Sequence, residues 1–409
     1  MSGREETQPV GSHDSFGILA TLLRASHLAG PDDLPALTTL AGKSLGAGHA
    51  ALHVVDYDQA VLVALRPPAA AADSDPSPLA VDGTLAGRAY SDTTQHISAG
   101  PVGSTLWTPL LDGSERLGVL QLDFAAGIEI DDVLRAACSD LASLLGELVV
   151  TRSLVGDSIE QARRQVPLTL PAEMQWRQLP PLTFVSPRVA VAGILVPTSE
   201  VAGDSFDYAM NDDTLHVAVI DAMGHGMEEA TLLSAVAMSA LRNARRGGVA
   251  LAAMVRAIDS ALAAQFGGDT FVTGIIGQLD VATGWWTWIT CGHPAALLIR
   301  DGKVVKVLDS VIGVPLGLGL LDSDPTIGAE RLQPRDRLLL FTDGVVEARD
   351  SQGKFFGNDR LVEFVARQAA ASRPAAETLR GLNHAILDHQ QGCLQDDATT
   401  VIIEWLTDG

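Results

Sequence analysis

An apolar strand followed at once by two long helices, and then by more strands, is the feature that most restricts how this chain can fold. The strand covers residues 214–220 and runs into Asp221, and the helical segments cover residues 227–248 and 250–266. The first helical segment begins with glutamates and ends with arginines and glycines, an order of charges and caps that helices favour. Because strands flank consecutive helices, the sequence predicts an α+β domain of layered sheets and helices.

Further strand-like runs follow the helices and are separated by short turns. One turn, at residues 282–284, ends in glycine, and another, Asp301-Gly302, is typical of a two-residue hairpin. The predicted strands cover residues 270–280, 285–293, 295–309 with its internal turn, 336–344 and 398–405. Together with the apolar segments that begin at Val189, they favour a sandwich of sheets covered by helices.

The first part of the chain predicts a separate α+β domain over residues 15–130. Strand-like runs at residues 51–68 and 105–124 are bounded by turn residues, and residues 112–115 form the turn between two apolar runs. Residues 31–45 have the apolar spacing of a helix. The length of this region is usual for one domain.

A helical stretch at residues 131–165 follows the first domain. Its apolar residues recur in steps of three and four and share one face: Leu134, Cys138, Leu141, Leu145, Leu148, Val155 and Ile159. Gly146 and Gly156 weaken the case for an unbroken helix. Two interpretations are open, a helix that closes the first domain and a dimerising connector. Residues 166–188 are proline-rich without a clear period, so we expect them to complete the connector as an ordered linker or an extended lead-in.

Charge and cysteine content exclude several classes of function. The chain has 28 lysines and arginines against 50 aspartates and glutamates, and its formal net charge of -22 disfavours binding to nucleic acid or to an anionic membrane. The three cysteines share no metal-binding spacing, so neither a disulfide framework nor a zinc site is expected. We find no signal peptide pattern and no apolar run long enough to span a bilayer, and we expect a cytoplasmic protein.

Aspartates occur at strand boundaries in four separate segments of the second domain. Asp204, Asp221 and Asp343 lie beside predicted strands, and Asp396 and Asp397 directly precede the last one. Clustered carboxylates raise one another's pKa values through repulsion, and a bound cation relieves that repulsion. Oxygen ligands without histidine pairs or thiolates indicate Mg²⁺ or Mn²⁺, and two such ions can activate water for attack on a phosphate.

Six segments resemble, in order, the successive motifs of the SpoIIE-like serine/threonine phosphatases, a bacterial branch of the PP2C (PPM) metal-dependent phosphatases. They are EVAGDSFDYAM, VAVIDAMGHGMEEATLL, GWWTWITCGHPAALLI, GVPLGLG, DRLLLFTDGVVEARDSQGKFFGNDRL and QDDATTVIIEW. The resemblance covers residues 189–406 and implies a PP2C-type αββα sandwich with a two-metal centre between the sheets, occupied by Mn²⁺ or Mg²⁺. The segments LAVDGTLAGRAY and LWTPLLDGSERLGVLQLDF resemble a GAF sensor domain, so residues 15–130 are expected to form a GAF-like α/β domain.

The resemblance implies a role for each aspartate. Asp204 matches the aspartate of the family's GGD motif, and Asp221 matches that of DxMGHG, where it would bridge both metal ions beside the Ala222 carbonyl as a backbone ligand. Asp343 matches the aspartate of TDG, and Asp396 matches the first of the final DD pair. The four aspartates are therefore the expected catalytic carboxylates, and with Ala222 they form the expected metal site.

Three further residues match family motifs without an assigned part in the chemistry. His225 is either a general acid or a turn and packing residue, His293 is expected to make structural hydrogen bonds, and Glu347 is expected to anchor its loop. The sequence departs from the family at Ala202, which stands where the first glycine of GGD is usual.

Two functions of different classes follow. The first is an active phosphatase that acts on a phosphorylated STAS-domain anti-anti-sigma protein, the substrate that the family implies, under control of the GAF-like domain. The second is a non-catalytic regulator that uses the phosphatase fold to bind proteins. Retention of every expected metal carboxylate favours the first. We also expect a homodimer, while the ligand of the GAF-like domain, if it has one, is not identified by the sequence.

Overall fold

The chain contains two compact units, Met1–Pro167 and Leu168–Gly409, and each is considered by itself. The computed structural model describes residues 15–67, 77–196, 203–223, 227–267, 270–309, 313–321, 324–391 and 396–406. Among these residues, no helix is both long and apolar enough to cross a membrane. The predicted boundaries, residues 15–130, 131–188 and 189–406, stay predictions.

A six-stranded antiparallel sheet forms the centre of the first unit, in the order β3-β2-β1-β6-β5-β4. Its strands are β1 (His49–Val55), β2 (Val61–Ala64), β3 (Leu79–Ala80), β4 (His96–Gly100), β5 (Gly103–Asp112) and β6 (Glu115–Ala125). The helices are α1 (Ser15–Ser26), α2 (Leu34–Ser44), α3 (Leu85–Asp92), α4 (Asp132–Ser153) and α5 (Ser158–Arg163), with a 3₁₀ turn at Pro31–Asp33. The predicted helix and strands are confirmed, while the GAF-like assignment stays a prediction.

The apolar stripe of the predicted connector lies in the core of the first unit. Its buried members pack with residues of α2, β1, β5 and β6: Leu134, Cys138, Leu141, Leu145, Leu148 and Ile159. Val155 is instead 72% exposed, because the helix is interrupted between α4 and α5. Gly146 lets α4 approach β5, since a Cβ at this position would lie 2.2 Å from the Leu111 carbonyl oxygen. This face is covered within the chain, so the stripe closes the first unit and is not available to join two subunits.

The proline-rich segment before the second domain contains a helix, α6 (Leu170–Gln178). The Thr169 side chain accepts a hydrogen bond from the Ala172 amide at 3.4 Å, and Pro171 lies in the first turn. Both residue types are favoured at helix starts. Of the two alternatives for this segment, the extended lead-in was therefore wrong for these residues, and the ordered linker stays a prediction. The helix has only 9 residues, too few to show a clear apolar period.

Two antiparallel sheets form the centre of the second unit, one in the order β15-β12-β11-β10-β9 and the other in the order β14-β13-β16-β17-β8-β7. The strands of the five-stranded sheet are β9 (Ser205–Asn211), β10 (Thr214–Met223), β11 (Phe271–Asp280), β12 (Trp285–Cys291) and β15 (Gly328–Arg331). Those of the six-stranded sheet are β7 (Thr183–Val185), β8 (Val189–Val196), β13 (Ala296–Arg300), β14 (Lys303–Leu308), β16 (Arg337–Phe341) and β17 (Ala398–Trp405). The remaining helices are α7 (Met227–Arg246), α8 (Leu251–Phe266), α9 (Asp343–Glu347), α10 (Gly357–Ala370) and α11 (Ala375–His389).

Helices cover the outer face of each sheet in the second unit. Residues of α7 and α8 pack against the five-stranded sheet, and residues of α9, α10 and α11 pack against the six-stranded sheet. The inner faces of the two sheets share one apolar core. Along β10, Val217 and Val219 face this core, while Ala218 and Ile220 face the helices, as the two-residue period of a strand requires. The predicted αββα sandwich is confirmed.

Candidate metal centre

Asp221 is held near the end of a strand that is buried on both faces. The strand, β10, is flanked by β9 and β11, and its register pairs Asp221 with Thr273 of β11. Side chains alternate along a strand, so Asp221 is directed to the same side as Val217 and Val219, toward the six-stranded sheet. The paired strands therefore hold this carboxyl group rigidly on the inner side of the sandwich.

Asp343 and Asp396 come from neighbouring strands of the six-stranded sheet. All of β16 is buried, and Asp343 begins α9 two residues after the end of this strand. Asp396 lies just before β17, which pairs with β16. The Thr342 amide donates to the Thr399 carbonyl at 3.0 Å, so the two strands remain paired up to the site. Sheet pairing thus brings both carboxyl groups to one edge.

The three carboxyl groups interact across the gap between the sheets. Burial, with the added charges of Asp343, Asp396 and Asp397, raises the pKa of Asp221 to about 7. Burial and then the charge of Glu347 raise the pKa of Asp343, and burial with the charges of Asp343 and Glu347 raises that of Asp396. Carboxyl groups whose ionised forms repel one another are stabilised in those forms by a nearby cation.

Asp204 is the most deeply buried of the four predicted carboxylate ligands, with a residue exposure of 3%. Its Oδ2 atom accepts a hydrogen bond from the Thr342 hydroxyl group at 2.6 Å. Burial raises the pKa of Asp204 well above its usual value, and the charges of Asp221 and Asp397 add to the shift. Thr342 therefore ties Asp204 to the strand end that carries Asp343.

The donor set suits a hard divalent cation, although the side chains do not form a closed cage. Within the part of the chain that the structure describes, no three Asp, Glu, His or Cys side chains are grouped closely enough to hold an ion. Like charges repel, and a cation would be needed to draw these carboxylates together. All four candidate side chains offer carboxylate oxygens, which are the ligands of Mg²⁺ and Mn²⁺. The chemistry of the residues therefore fits the predicted ions.

Two glycines allow close backbone approach at the site. A Cβ at Gly203 would lie 2.3 Å from the Ala222 carbonyl oxygen, and one at Gly344 would lie 2.0 Å from the Asp397 carbonyl oxygen. Neither gap has room for a side chain. These glycines let the segments that carry Asp204 and Asp343 pack against the neighbouring strands. The role of the Ala222 carbonyl as a metal ligand stays a prediction.

Two buried residues, Asp397 and Gln175, organise the segments around the site. Asp397 Oδ2 accepts hydrogen bonds from Gln175 Nε2 at 2.6 Å and from the Gly203 and Asp204 amides at 3.0 and 3.3 Å. Gln175, on α6, also donates to the Asp204 carbonyl at 3.0 Å. Helix α6 is thereby bonded to two of the segments that carry predicted ligands.

Neither residue had a role that could be assigned from the sequence. The DD pair was a signal for Asp397, but it did not distinguish Asp396, whose side chain is only partly covered, from Asp397, which is 2% exposed. No local pattern indicated Gln175, because its two partners lie 29 and 222 residues away along the chain.

The remaining predicted residues differ in what the structure shows of them. His293 is 3% exposed and contacts the Thr273 hydroxyl group at 3.0 Å, in agreement with a hydrogen-bonding role. Glu347 is exposed and adds negative charge near the site, and its role as a loop anchor stays a prediction. His225 and Ala202 lie outside the described residues.

Comparison with known proteins gives one family match and several more distant relatives. Residues 211–406 match the family model described as Stage II sporulation protein E (SpoIIE). Protein IcfG of Synechocystis sp. is 24% identical over 265 residues, which cover 58% of this chain and 39% of that protein. Phosphoserine phosphatase RsbU of Bacillus subtilis is 22% identical over 214 residues, which cover 52% of this chain and 62% of that protein. The chain therefore spans less than two thirds of either relative.

Two solved structures resemble about half of the chain. The RsbU and RsbW domains of a Mycobacterium tuberculosis protein are 25% identical with a TM-score of 0.48, covering 55% of this chain and 63% of that one. The PP2C phosphatase domain with a fragment of the regulatory domain of SpoIIE from Bacillus subtilis is 20% identical with a TM-score of 0.46, covering 54% and 64%. The match to the SpoIIE family model covers slightly less than half of the chain and includes Asp221, Asp343 and Asp396.

Proposed function

We propose that the second domain is a PP2C-type protein serine/threonine phosphatase that depends on two Mn²⁺ or Mg²⁺ ions. The metal-binding residues are Asp204, Asp221, Asp343 and Asp396, with the Ala222 carbonyl as a backbone ligand. The observation that carries the proposal is that two facing sheets direct carboxyl groups toward one gap, where burial and then repulsion raise the pKa of Asp221 to about 7, inside a domain that matches the SpoIIE family model. A protein-binding scaffold would gain nothing from this repulsion.

The bound ions would supply an activated water and offset negative charge on the phosphate during in-line attack. The protein's own part is to hold the ligands in place. The β10 strand keeps Asp221 on the inner side of the sandwich, and paired strands present Asp343 and Asp396 opposite it. The Thr342 hydroxyl group restrains Asp204, so that its carboxylate has little freedom to turn away. Because the ligands are already held in place, less free energy is needed to bring the ionised carboxylates around the metal ions.

A phosphorylated STAS-domain anti-anti-sigma protein is the proposed substrate, because the resemblance to the family implies it. The name of the relative RsbU, a phosphoserine phosphatase, supports a phosphoserine group as the target. A cytoplasmic location, a homodimeric state and control by the GAF-like first domain belong to the same proposal.

Phosphate release from p-nitrophenyl phosphate and from a phosphoserine-bearing STAS domain tests the function, with Mn²⁺, Mg²⁺ or EDTA present. We expect turnover that requires a metal and that falls by at least ~100-fold in Asp221→Asn. Asp212→Asn, in the exposed β9–β10 turn, is the matched control and should keep full activity. A wild-type chain that binds the STAS domain but releases no phosphate with either metal would instead establish the non-catalytic regulator.

A further inference from the structure

His293 is buried between the strand ends that carry the candidate metal ligands. It follows Gly292 at the end of β12, and the residue is 3% exposed. Its Nδ1 atom lies 3.0 Å from Thr273 Oγ1, which in turn lies 3.5 Å from the Asp221 carbonyl oxygen. One edge of the imidazole ring therefore contacts the residue that pairs with Asp221 in the five-stranded sheet.

The backbone of Phe341, in the six-stranded sheet, also lies near the ring, and Nε2 is the nitrogen that remains to face it because Nδ1 contacts Thr273. Burial lowers the pKa of His293 to about 3, against a smaller upward effect of the Phe341 backbone carbonyl at the end of β16. Nε2 nevertheless completes no hydrogen bond of acceptable geometry in the described structure. His293 is therefore neutral and has a single N–H group to share between two neighbours.

The chemistry of these neighbours decides which nitrogen carries the proton. A carbonyl oxygen can only accept a hydrogen bond, whereas a hydroxyl group can donate and accept. With the proton on Nε2, the ring can donate toward Phe341 while Nδ1 accepts from the Thr273 hydroxyl group, whose single proton then serves the 3.0 Å contact with Nδ1 and not the 3.5 Å contact with the Asp221 carbonyl oxygen. With the proton on Nδ1, a buried Nε2 lone pair would face a carbonyl oxygen and remain unsatisfied. The arrangement favours the Nε2–H tautomer.

We propose that His293 is a positioning residue of the metal centre, whose neutral Nε2–H imidazole sets the spacing between the strand ends carrying Asp221 and Asp343. The proposal rests on the proposed metal-dependent function and adds a residue to its site. On one side the ring acts through Thr273, the cross-strand partner of Asp221. On the other side it acts through Phe341, which ends β16 two residues before Asp343.

A link of this kind matters because the ligands lie on different sheets. Backbone hydrogen bonds determine the spacing of strands within each sheet, but side chains determine the distance between sheets. Among the described residues, no three carboxylates lie close enough together to hold an ion. A small change in sheet separation therefore alters how many of them can reach an ion. Residues that orient metal ligands typically change metal affinity by about 10- to 100-fold when replaced.

Mn²⁺ binding to the full chain, measured by isothermal titration calorimetry, tests the proposal with wild type, His293→Gln and His293→Phe. The Gln amide retains a donor at nearly the reach of Nε2, whereas Phe fills the space without donor or acceptor. We expect the affinity to fall by about 10-fold or more in His293→Phe and by less in His293→Gln. His216→Phe is the matched control. His216 lies at the opposite end of β10, where its Nδ1 is 3.3 Å from the Gln278 amide nitrogen, and its replacement should leave the affinity unchanged.

Long-range ¹H–¹⁵N NMR of the imidazole gives a second readout that does not depend on turnover. An Nε2–H ring that stays neutral down to about pH 5 supports the proposal, and an Nδ1–H ring or one protonated near pH 6.5 overturns it. Equal Mn²⁺ affinity in wild type and His293→Phe also overturns it, while leaving the phosphatase function intact. Absence of Mn²⁺ binding in wild type overturns both.

If circular dichroism shows that His293→Phe does not fold, the same contact can be tested at Thr273. Mn²⁺ binding is then compared between Thr273→Val and Thr273→Ser. The valine removes the hydroxyl group that contacts Nδ1, and the serine keeps it. Weaker Mn²⁺ binding in the valine variant alone supports the link, and equal binding in both overturns it.

Discussion

Replacing Asp221 with asparagine should make the protein more resistant to unfolding at alkaline pH when metal is chelated. Burial and the charges of Asp343, Asp396 and Asp397 raise the pKa of the Asp221 carboxyl group from 3.8 to about 7. The native protein therefore keeps a proton that the unfolded chain releases. The stabilisation from this proton is complete below about pH 4 and is lost as the pH rises through 7. Asparagine has nearly the same shape and no charge. The free energy of unfolding of the variant therefore does not fall with pH through this group.

The size of the effect follows from the two pKa values. Their difference, 7 − 3.8 = 3.2 units, corresponds to ~4 kcal/mol over the whole titration. From the linkage relation, the free energy of unfolding of wild type should fall by ~2.5 kcal/mol between about pH 5 and pH 8. The variant should not show this fall. Neighbouring carboxyl groups share the released protons, so this is an upper limit for one substitution. For a domain of this size, it corresponds to roughly 5–10 °C in melting temperature.

Urea unfolding in EDTA, followed by circular dichroism at several pH values from 5 to 8, measures this difference. The curves of stability against pH should diverge, with wild type falling more steeply than Asp221→Asn. Asp212→Asn removes the same charge from an exposed turn and should follow wild type. Parallel curves for wild type and Asp221→Asn would refute the reasoning, because they would mean that the Asp221 carboxyl group ionises in the native protein as readily as in the unfolded chain.

Three further predictions concern the metal, helix α6 and helix α4. Mn²⁺ at 100 times its dissociation constant should stabilise wild type by ~2.7 kcal/mol in thermal unfolding, but the double variant Asp221→Asn, Asp343→Asn hardly at all. An equal shift in both would place the ions elsewhere. Gln175→Ala removes two buried hydrogen bonds and should lower the free energy of unfolding by ~1–3 kcal/mol. It should also raise the Mn²⁺ concentration needed for half-maximal turnover. Arg177→Ala, on the exposed side of α6, should change neither quantity. Leu141→Glu places a charge where the wild-type side chain is 1% exposed and should unfold the first unit in proteolysis and circular dichroism assays, while Val155→Glu, at a position 72% exposed, should be tolerated. A stable, folded Leu141→Glu monomer derived from a wild-type dimer would show instead that the α4 face joins two subunits.

Local sequence patterns were sufficient for most secondary structure of the second domain. The helix predicted from its terminal charges and glycines runs from Met227 to Arg246, and the Asp301-Gly302 turn joins β13 to β14 with both residues at positive φ. Such features depend on residues close in sequence, whose backbone preferences act before any tertiary contact forms. The missed helix α6 shows the limit of this reasoning, because its stability depends on contacts such as the one from Gln175 to Asp397.

By itself, the sequence determined the layered α+β class of the second domain and the positions of the aspartates at strand ends, because alternating apolar residues and turn residues encode both locally. It also determined that the face of α4 that contains Leu141 and Leu145 had to be covered. The tertiary structure alone decided that residues of the same unit cover that face, since the hydrophobic effect has no direction and does not specify the partner. It alone decided that Asp397 anchors the Gly203–Asp204 backbone while Asp396 remains exposed. These contacts join residues far apart in the chain, and only the pairing of strands and the packing of the two sheets bring them within hydrogen-bonding distance.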